Sequence, residues 1–142
     1  FLCVRAALRH MAEAGSGSVI TIGSVSALII GAGGSAASYK AAKGGVLQLT
    51  RAIAVEYAHR GIRANCVCPG AVATNLGLHA GEEADQWTTV AAGDIRKYQF
   101  DVPMARRADP MEIAVVVAFL ASGDASFMTG SAVMVDGGYT AV

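Results

Sequence analysis

The stretch SYKAAKGG at residues 38–45 sets a phenol, Tyr39, four positions before an ammonium, Lys43, among alanines and glycines. On a helix, side chains at i and i+4 lie one above the other on a single face. An ammonium beside a phenol favours the phenolate and lets the ring oxygen exchange protons near neutral pH. That is general acid/base chemistry. The spacing alone is common, and a half-buried Tyr beside a surface Lys is its more frequent meaning, so neighbouring residues must decide. Ser24 directly follows the apolar run SVITIG at 18–23. A hydroxyl at the carboxyl end of a strand, where open α/β sheets hold their ligands, can donate to a substrate oxygen. By itself a Ser after a strand is most often a turn residue. Pro69-Gly70 closes a second apolar run on the same rim, and Thr74 lies four residues beyond Gly70.

The elements needed to position these groups are legible. Residues 1–14 read as a helix closed by Gly15, and SVITIG reads as a short buried strand. A second helix is expected over 38–60, with Ala42, Val46, Leu49, Ile53 and Tyr57 on its apolar side and Gly61 as its left-handed stop. Gly44 and Gly45 inside that helix cost about 1 kcal/mol each relative to alanine, which implies that a helix or ligand approaches closely there. IRANCVC at 62–68 reads as a strand. Asp109, Pro110 and Glu112 supply an N-cap, an N1 proline and a capping-box partner for a third helix ending near Ser122. AVMV at 132–135 reads as a strand before the turn Asp136-Gly137-Gly138. Residues 75–105, with Trp87, Tyr98, Phe100 and Met104, read as a lid or substrate loop, though aromatic residues there are more often packing than recognition.

This alternation is that of an α/β fold with a mostly parallel sheet. Three strands are few for a doubly wound sheet, so the first is expected to have an uncovered apolar edge.

Composition narrows the function classes. Of 142 residues, 54% are apolar and 15% charged, with formal net charge zero, which places the chain among globular proteins and gives no pull toward nucleic acid or anionic membrane. The apolar run at 113–121 is about half of the roughly 17–25 residues a membrane span needs. Cys66 and Cys68 are poorly spaced for a bridge along a strand, and His10, His59 and His79 lack ligand-like spacing, so neither a disulfide framework nor a metal site is expected. The expected location is cytoplasmic. The chain begins with Phe1 in what reads as mid-helix, which suggests a cut N-terminus.

Five segments in order carry a resemblance: IGS at 22–24, YKAAK at 39–43, RGIRANCVCPGAVAT at 60–74, ADPMEIAVVVAFLAS at 108–122 and MTGSAVMVDGG at 128–138. Together they resemble the catalytic, C-terminal half of the classical short-chain dehydrogenases/reductases. The resemblance covers essentially the whole chain. It implies a Rossmann-like doubly wound parallel sheet from which the N-terminal cofactor-binding half is absent, with residues 1–142 as part of one domain. It further implies hydride transfer between a nicotinamide cofactor, NAD or NADP, and an alcohol/ketone substrate. In that pattern Tyr39 is the acid/base, Lys43 lowers its pKa and holds the nicotinamide ribose, and Ser24 polarises the substrate carbonyl. Pro69, Gly70, Ala71, Val72 and Thr74 would meet the nicotinamide carboxamide and pyrophosphate. Asn65 would tie neighbouring strands together, and a homo-oligomer, tetramer or dimer, is implied.

The sequence departs from the pattern in three ways. Ser24 lies 15 residues before Tyr39, where the family has about 13, so Ser26 stays open as the catalytic serine. The family's proton-relaying asparagine, expected just upstream, is absent. So is the glycine-rich phosphate turn. GAGGSA at 31–36 fits the dinucleotide fingerprint formally, with Glu56 twenty residues beyond Ala36, but it precedes the Tyr39 helix and Glu56 lies within that helix. The 142 residues alone are therefore expected to be inactive. Two other classes fit parts of the sequence, a non-catalytic oligomerisation module and a carbonyl-binding sensor.

Overall fold

The computed structural model describes residues 1–29, 37–74 and 102–141. Its main elements are α1 (Leu2–Ala14), β1 (Gly17–Ile22), α2 (Ala37–Tyr57), β2 (Ile62–Pro69), α3 (Pro110–Ala121) and β3 (Ala132–Val135). Most of the 75–105 lid reading falls on residues outside those described, as does GAGGSA.

Each helix ends or begins where local chemistry dictates. Gly15, at φ 68°, turns its amide back to the Met11 carbonyl and stops α1. A 3₁₀ turn, Ala58–Arg60, follows α2 and ends at Gly61, at φ 71°. The two stops abut, with the Gly17 amide donating to the Gly61 carbonyl at 3.3 Å, so β1 and β2 leave side by side. At the start of α3 the Asp109 carboxylate accepts from the Met111 amide at 2.8 Å, and Glu112 accepts from the Asp109 amide at 2.8 Å.

The strands form one parallel sheet in the order β1-β2-β3. Gly17 pairs with Ile62 and Ile22 with Val67, while Cys66 pairs with Ala132 and Pro69 with Val135. All carboxyl ends therefore share one rim. Successive side chains alternate faces. Val19, Ile62 and Ala64 pack with Leu8 of α1 and with Ile53 and Ala54 of α2. Cys66 and Cys68 meet Leu47 of α2 on the same side. Val67 points the other way, against Leu120 of α3 and Ala125. Helices α1 and α2 thus cover one face and α3 the opposite one. Burying a Leu or Ile side chain such as Leu47, Ile62 or Leu120 contributes about 1.5–3 kcal/mol each.

Polar residues in the core close the α3 side. The Asn65 amide donates to the Met128 carbonyl at 2.7 Å and its oxygen accepts from the Ser131 amide at 3.1 Å. It ties β2 to the segment entering β3, as the sequence led us to expect. The Arg63 guanidinium donates to the carbonyls of Leu120 and Ser122 at 2.9 and 3.1 Å, a cationic cap on the end of α3. The expectation about the α2 glycines is not met by protein: a Cβ at Gly44 would only graze the Ala27 carbonyl at 4.0 Å, and one at Gly45 would meet nothing within 4 Å among the described residues.

Candidate active site

Helix α2 runs back against the parallel strands, which brings its first turn to the carboxyl rim. Lys43 fixes that placement. Its Nζ donates to the carbonyl of Ile22, the last residue of β1, at 3.0 Å. The same ammonium lies 5.6 Å from the centroid of the Tyr39 ring. Tyr39 itself is 41% exposed, open to an incoming molecule.

Two residues past Ile22, Ser24 is buried in an extended conformation at the head of the 3₁₀ turn Val25–Ala27. Its Oγ accepts from the Ser26 amide at 3.1 Å. An oxygen whose lone pair is engaged in this way keeps its own proton available for another acceptor. Ser26 takes a different part, as donor of that amide within the turn. The Ser24 oxygen, the Lys43 ammonium and the Tyr39 ring are thus all held around the end of β1.

The rest of the rim is backbone. Pro69 ends β2, and the Gly70 amide donates to the Val135 carbonyl at 3.0 Å. A Cβ on Gly70 would come within 2.9 Å of Asp136 Cα, so the crossing of these two chains requires glycine. Val72 makes an isolated parallel bridge with Ala108. The Ala108 amide donates to the Ala71 carbonyl and the Ala73 amide to the Ala108 carbonyl, both at 2.9 Å. Thr74 is exposed, its amide 2.9 Å from the Val72 carbonyl. Residues 71–74 thereby continue past the sheet on the side where β2 ends.

Three features of this rim are not signalled by motif spacing. The first is the Ile22 carbonyl, a backbone acceptor for Lys43. The second is Asp136, whose carboxylate accepts from the Thr140 hydroxyl at 2.7 Å, the Thr140 amide at 2.9 Å and the Gly138 amide at 3.0 Å. Burial pushes its pKa up, but the Thr140 and Gly138 donors outweigh that and hold it below the ordinary value. Met104 donates its amide to Gly137 at 3.1 Å, so residues 102–108 lean on this turn. The third is Arg106, which grips Glu112 through two hydrogen bonds of 2.6 and 2.7 Å. That grip, with the Asp109 amide, lowers the Glu112 pKa to about 2. Among the described residues no cluster of three or more His, Cys, Asp or Glu side chains could hold a metal, and no helix is long and apolar enough to cross a membrane.

A parallel sheet with a hydroxyl, a phenol and an ammonium at its carboxyl rim defines a ligand-binding α/β fold. A protein-family model described as enoyl-(acyl carrier protein) reductase matches residues 1–140. The chain belongs to the short-chain dehydrogenase/reductase family. It is 49% identical over 143 residues to cis-4-hydroxycyclohexanecarboxylate dehydrogenase of Sinomonas cyclohexanicum, covering 99% of this chain and 52% of that one. Galactitol 2-dehydrogenase (L-tagatose-forming) of Cereibacter sphaeroides is 42% identical over 140 residues, covering 99% and 52%. The structure of a gluconate 5-dehydrogenase from Burkholderia cenocepacia J2315 in complex with NADP and tartrate superposes with a TM-score of 0.82 at 31% identity, covering 97% of this chain and 50% of that one. The chain spans about half the length of the curated relatives it matches.

Proposed function

We propose that this chain is the catalytic part of a nicotinamide-dependent oxidoreductase interconverting a secondary alcohol and a ketone, working within a longer polypeptide of a single short-chain dehydrogenase/reductase domain. The observation that carries the reading is Lys43, which joins the end of β1 to the Tyr39 ring at a point two residues from a buried serine hydroxyl. The dehydrogenase names of the two relatives and the NADP in the gluconate dehydrogenase complex support the same class.

The donor set fits the nicotinamide end of NAD or NADP. Lys43 and Tyr39 would hold a ribose with an ammonium and a hydroxyl, and Pro69, Gly70, Ala71, Val72 and Thr74, which bend away from the end of β2, would meet a carboxamide and pyrophosphate. The cofactor, when bound, supplies or accepts hydride. The chain's own residues do the rest. Ser24 donates a hydrogen bond from its hydroxyl to the substrate oxygen as negative charge builds there, keeping its own proton. Tyr39 gives that oxygen its proton in the reductive direction and removes it in the oxidative one. Lys43 holds positive charge against the ring and is itself steadied by the Ile22 carbonyl.

Homo-oligomerisation, as a dimer or tetramer, belongs to the same reading. Helices α1 and α2 leave between them a groove of about 660 Å³ lined by Val4, Leu8, Leu49 and Ile53. Arg5, Arg9 and Arg60 share its margins with Glu13 and Glu56. A surface carrying both charge signs around an apolar centre can match its own copy about a two-fold axis.

The test is Tyr39→Phe in the longest natural polypeptide containing these residues, followed by nicotinamide absorbance with cyclic and open-chain ketones. Turnover should fall by about 10²–10⁴ with assembly retained. Unchanged turnover would refute the reading.

A further inference from the structure

The buried thiols of Cys66 and Cys68 play no part in the chemistry just described, yet they lie directly beneath it. Both side chains are fully buried on the α2 face of β2, with sulfurs 3.8 Å apart. The Gly23 amide donates to the Val67 carbonyl between them at 2.7 Å. A Cβ on Gly23 would stand 2.7 Å from the Cys66 sulfur and 3.2 Å from that of Cys68. The chain leaving β1 therefore rests on both sulfurs, at a distance that only glycine allows. The next residue, Ser24, is itself buried and follows this contact directly. Burial and the Cys66 neighbour push the Cys68 thiol up to about 11, so at neutral pH it stays protonated, an uncharged and compact support.

We propose that the Cys66–Cys68 pair is a positioning device for Ser24, the two sulfurs setting the height at which Gly23 carries the chain into the serine. This rests on Ser24 acting on the substrate oxygen. A donor aimed at developing charge is sensitive to displacements of well under 1 Å, so the floor beneath it controls turnover without touching substrate. Cys68→Ser keeps a floor of nearly the same shape. Cys68→Val adds bulk against Gly23.

The experiment is a double-mutant cycle in the longest natural polypeptide, with Ser24→Ala, Cys68→Val, the pair together, and Cys68→Ser. Cys68→Val should lower kcat by about 10–30-fold while leaving the cofactor KM within about twofold, and Cys68→Ser should restore most of the loss. In the Ser24→Ala background the valine should change kcat by less than about twofold, because the residue acts through the serine. Hydrogen exchange of the peptide spanning 22–28, measured without cofactor, should quicken in Cys68→Val. Equal losses in both backgrounds, or an unchanged kcat in the folded single variant, overturn the positioning role. If Ser24→Ala alone leaves turnover intact, the role of Ser24 and this positioning proposal fail together, whereas the oxidoreductase reading is judged separately by Tyr39→Phe. Should Cys68→Val not fold, Cys68→Ala carries the same cycle, since it removes the sulfur beneath Gly23.

Discussion

At the scale of single residues, the structure gives the two candidate serines different work. Ser24 is buried, accepts from the Ser26 amide and has no acceptor for its hydroxyl proton among the described residues, whereas the contribution of Ser26 to the turn comes from its backbone. Ser24→Ala should therefore cost about 10²–10³ in kcat, the loss expected from one donor to developing oxyanion charge. Ser26→Ala should leave kcat within a few-fold, because the backbone donor survives. Steady-state kinetics on the two variants separates them. The reverse pattern would move the catalytic role to Ser26. Sequence spacing could not make this distinction, since Ser26 stands the usual 13 residues before Tyr39 while Ser24, 15 before it, has the strand-end position, so count and motif point to different serines.

At the scale of elements, the capped start of α3 makes a pH prediction. Glu112 has a pKa lowered to about 2 from an ordinary 4.5 by Arg106 and the Asp109 amide. A carboxylate held down in the folded state contributes stability that is complete above its unfolded value and is lost as pH falls through the folded one. Asp136 is also held low and acts with the same sign. Thermal unfolding should therefore fall as pH drops from about 5 toward 2, with Glu112→Gln flattening part of that slope. Because the Arg106–Glu112 pair is exposed, added salt should weaken the Glu112 share more than the Asp136 share. Asp109→Ala should cost about 1 kcal/mol in urea unfolding by deleting the N-cap.

The same element shows what local sequence can reveal. Asp109, Pro110 and Glu112 announce the helix start because capping is a matter of three or four neighbouring residues. The two glycine stops at Gly15 and Gly61 are equally local, and the three strands fall within a residue or two of the expected spans. Arg106, six positions before Glu112, and the Arg63 cap on α3, 57 positions before Leu120, gave no signal. Such contacts come from folding rather than from a pattern along the chain. At the site, the Tyr39–Lys43 spacing was readable, but the anchoring of Lys43 to a backbone carbonyl was not, since every residue has one. The helix glycines are read only in part: Gly44 and Gly45 leave room that no described residue takes.

At the scale of the whole molecule, the groove between α1 and α2 carries the prediction about assembly. Ala52 lines it and is exposed, so Ala52→Glu adds charge without disturbing the core. Sedimentation of the longer polypeptide should shift from an oligomer to a smaller species while the far-UV spectrum is kept. An unchanged sedimentation coefficient would remove this groove as the self-association face.

The sheet carries one more consequence. Among the described residues β1 is bonded to β2 alone, and its six residues, GSVITI, contain no charge and no proline. Short uncharged stretches rich in Val, Ile and Thr are the kind that stack into fibrils when their amides are open on one side. Purified as these 142 residues alone, the protein should turn thioflavin-positive after a lag that preformed seeds abolish. A lysine at the half-exposed Ile22 should lengthen that lag.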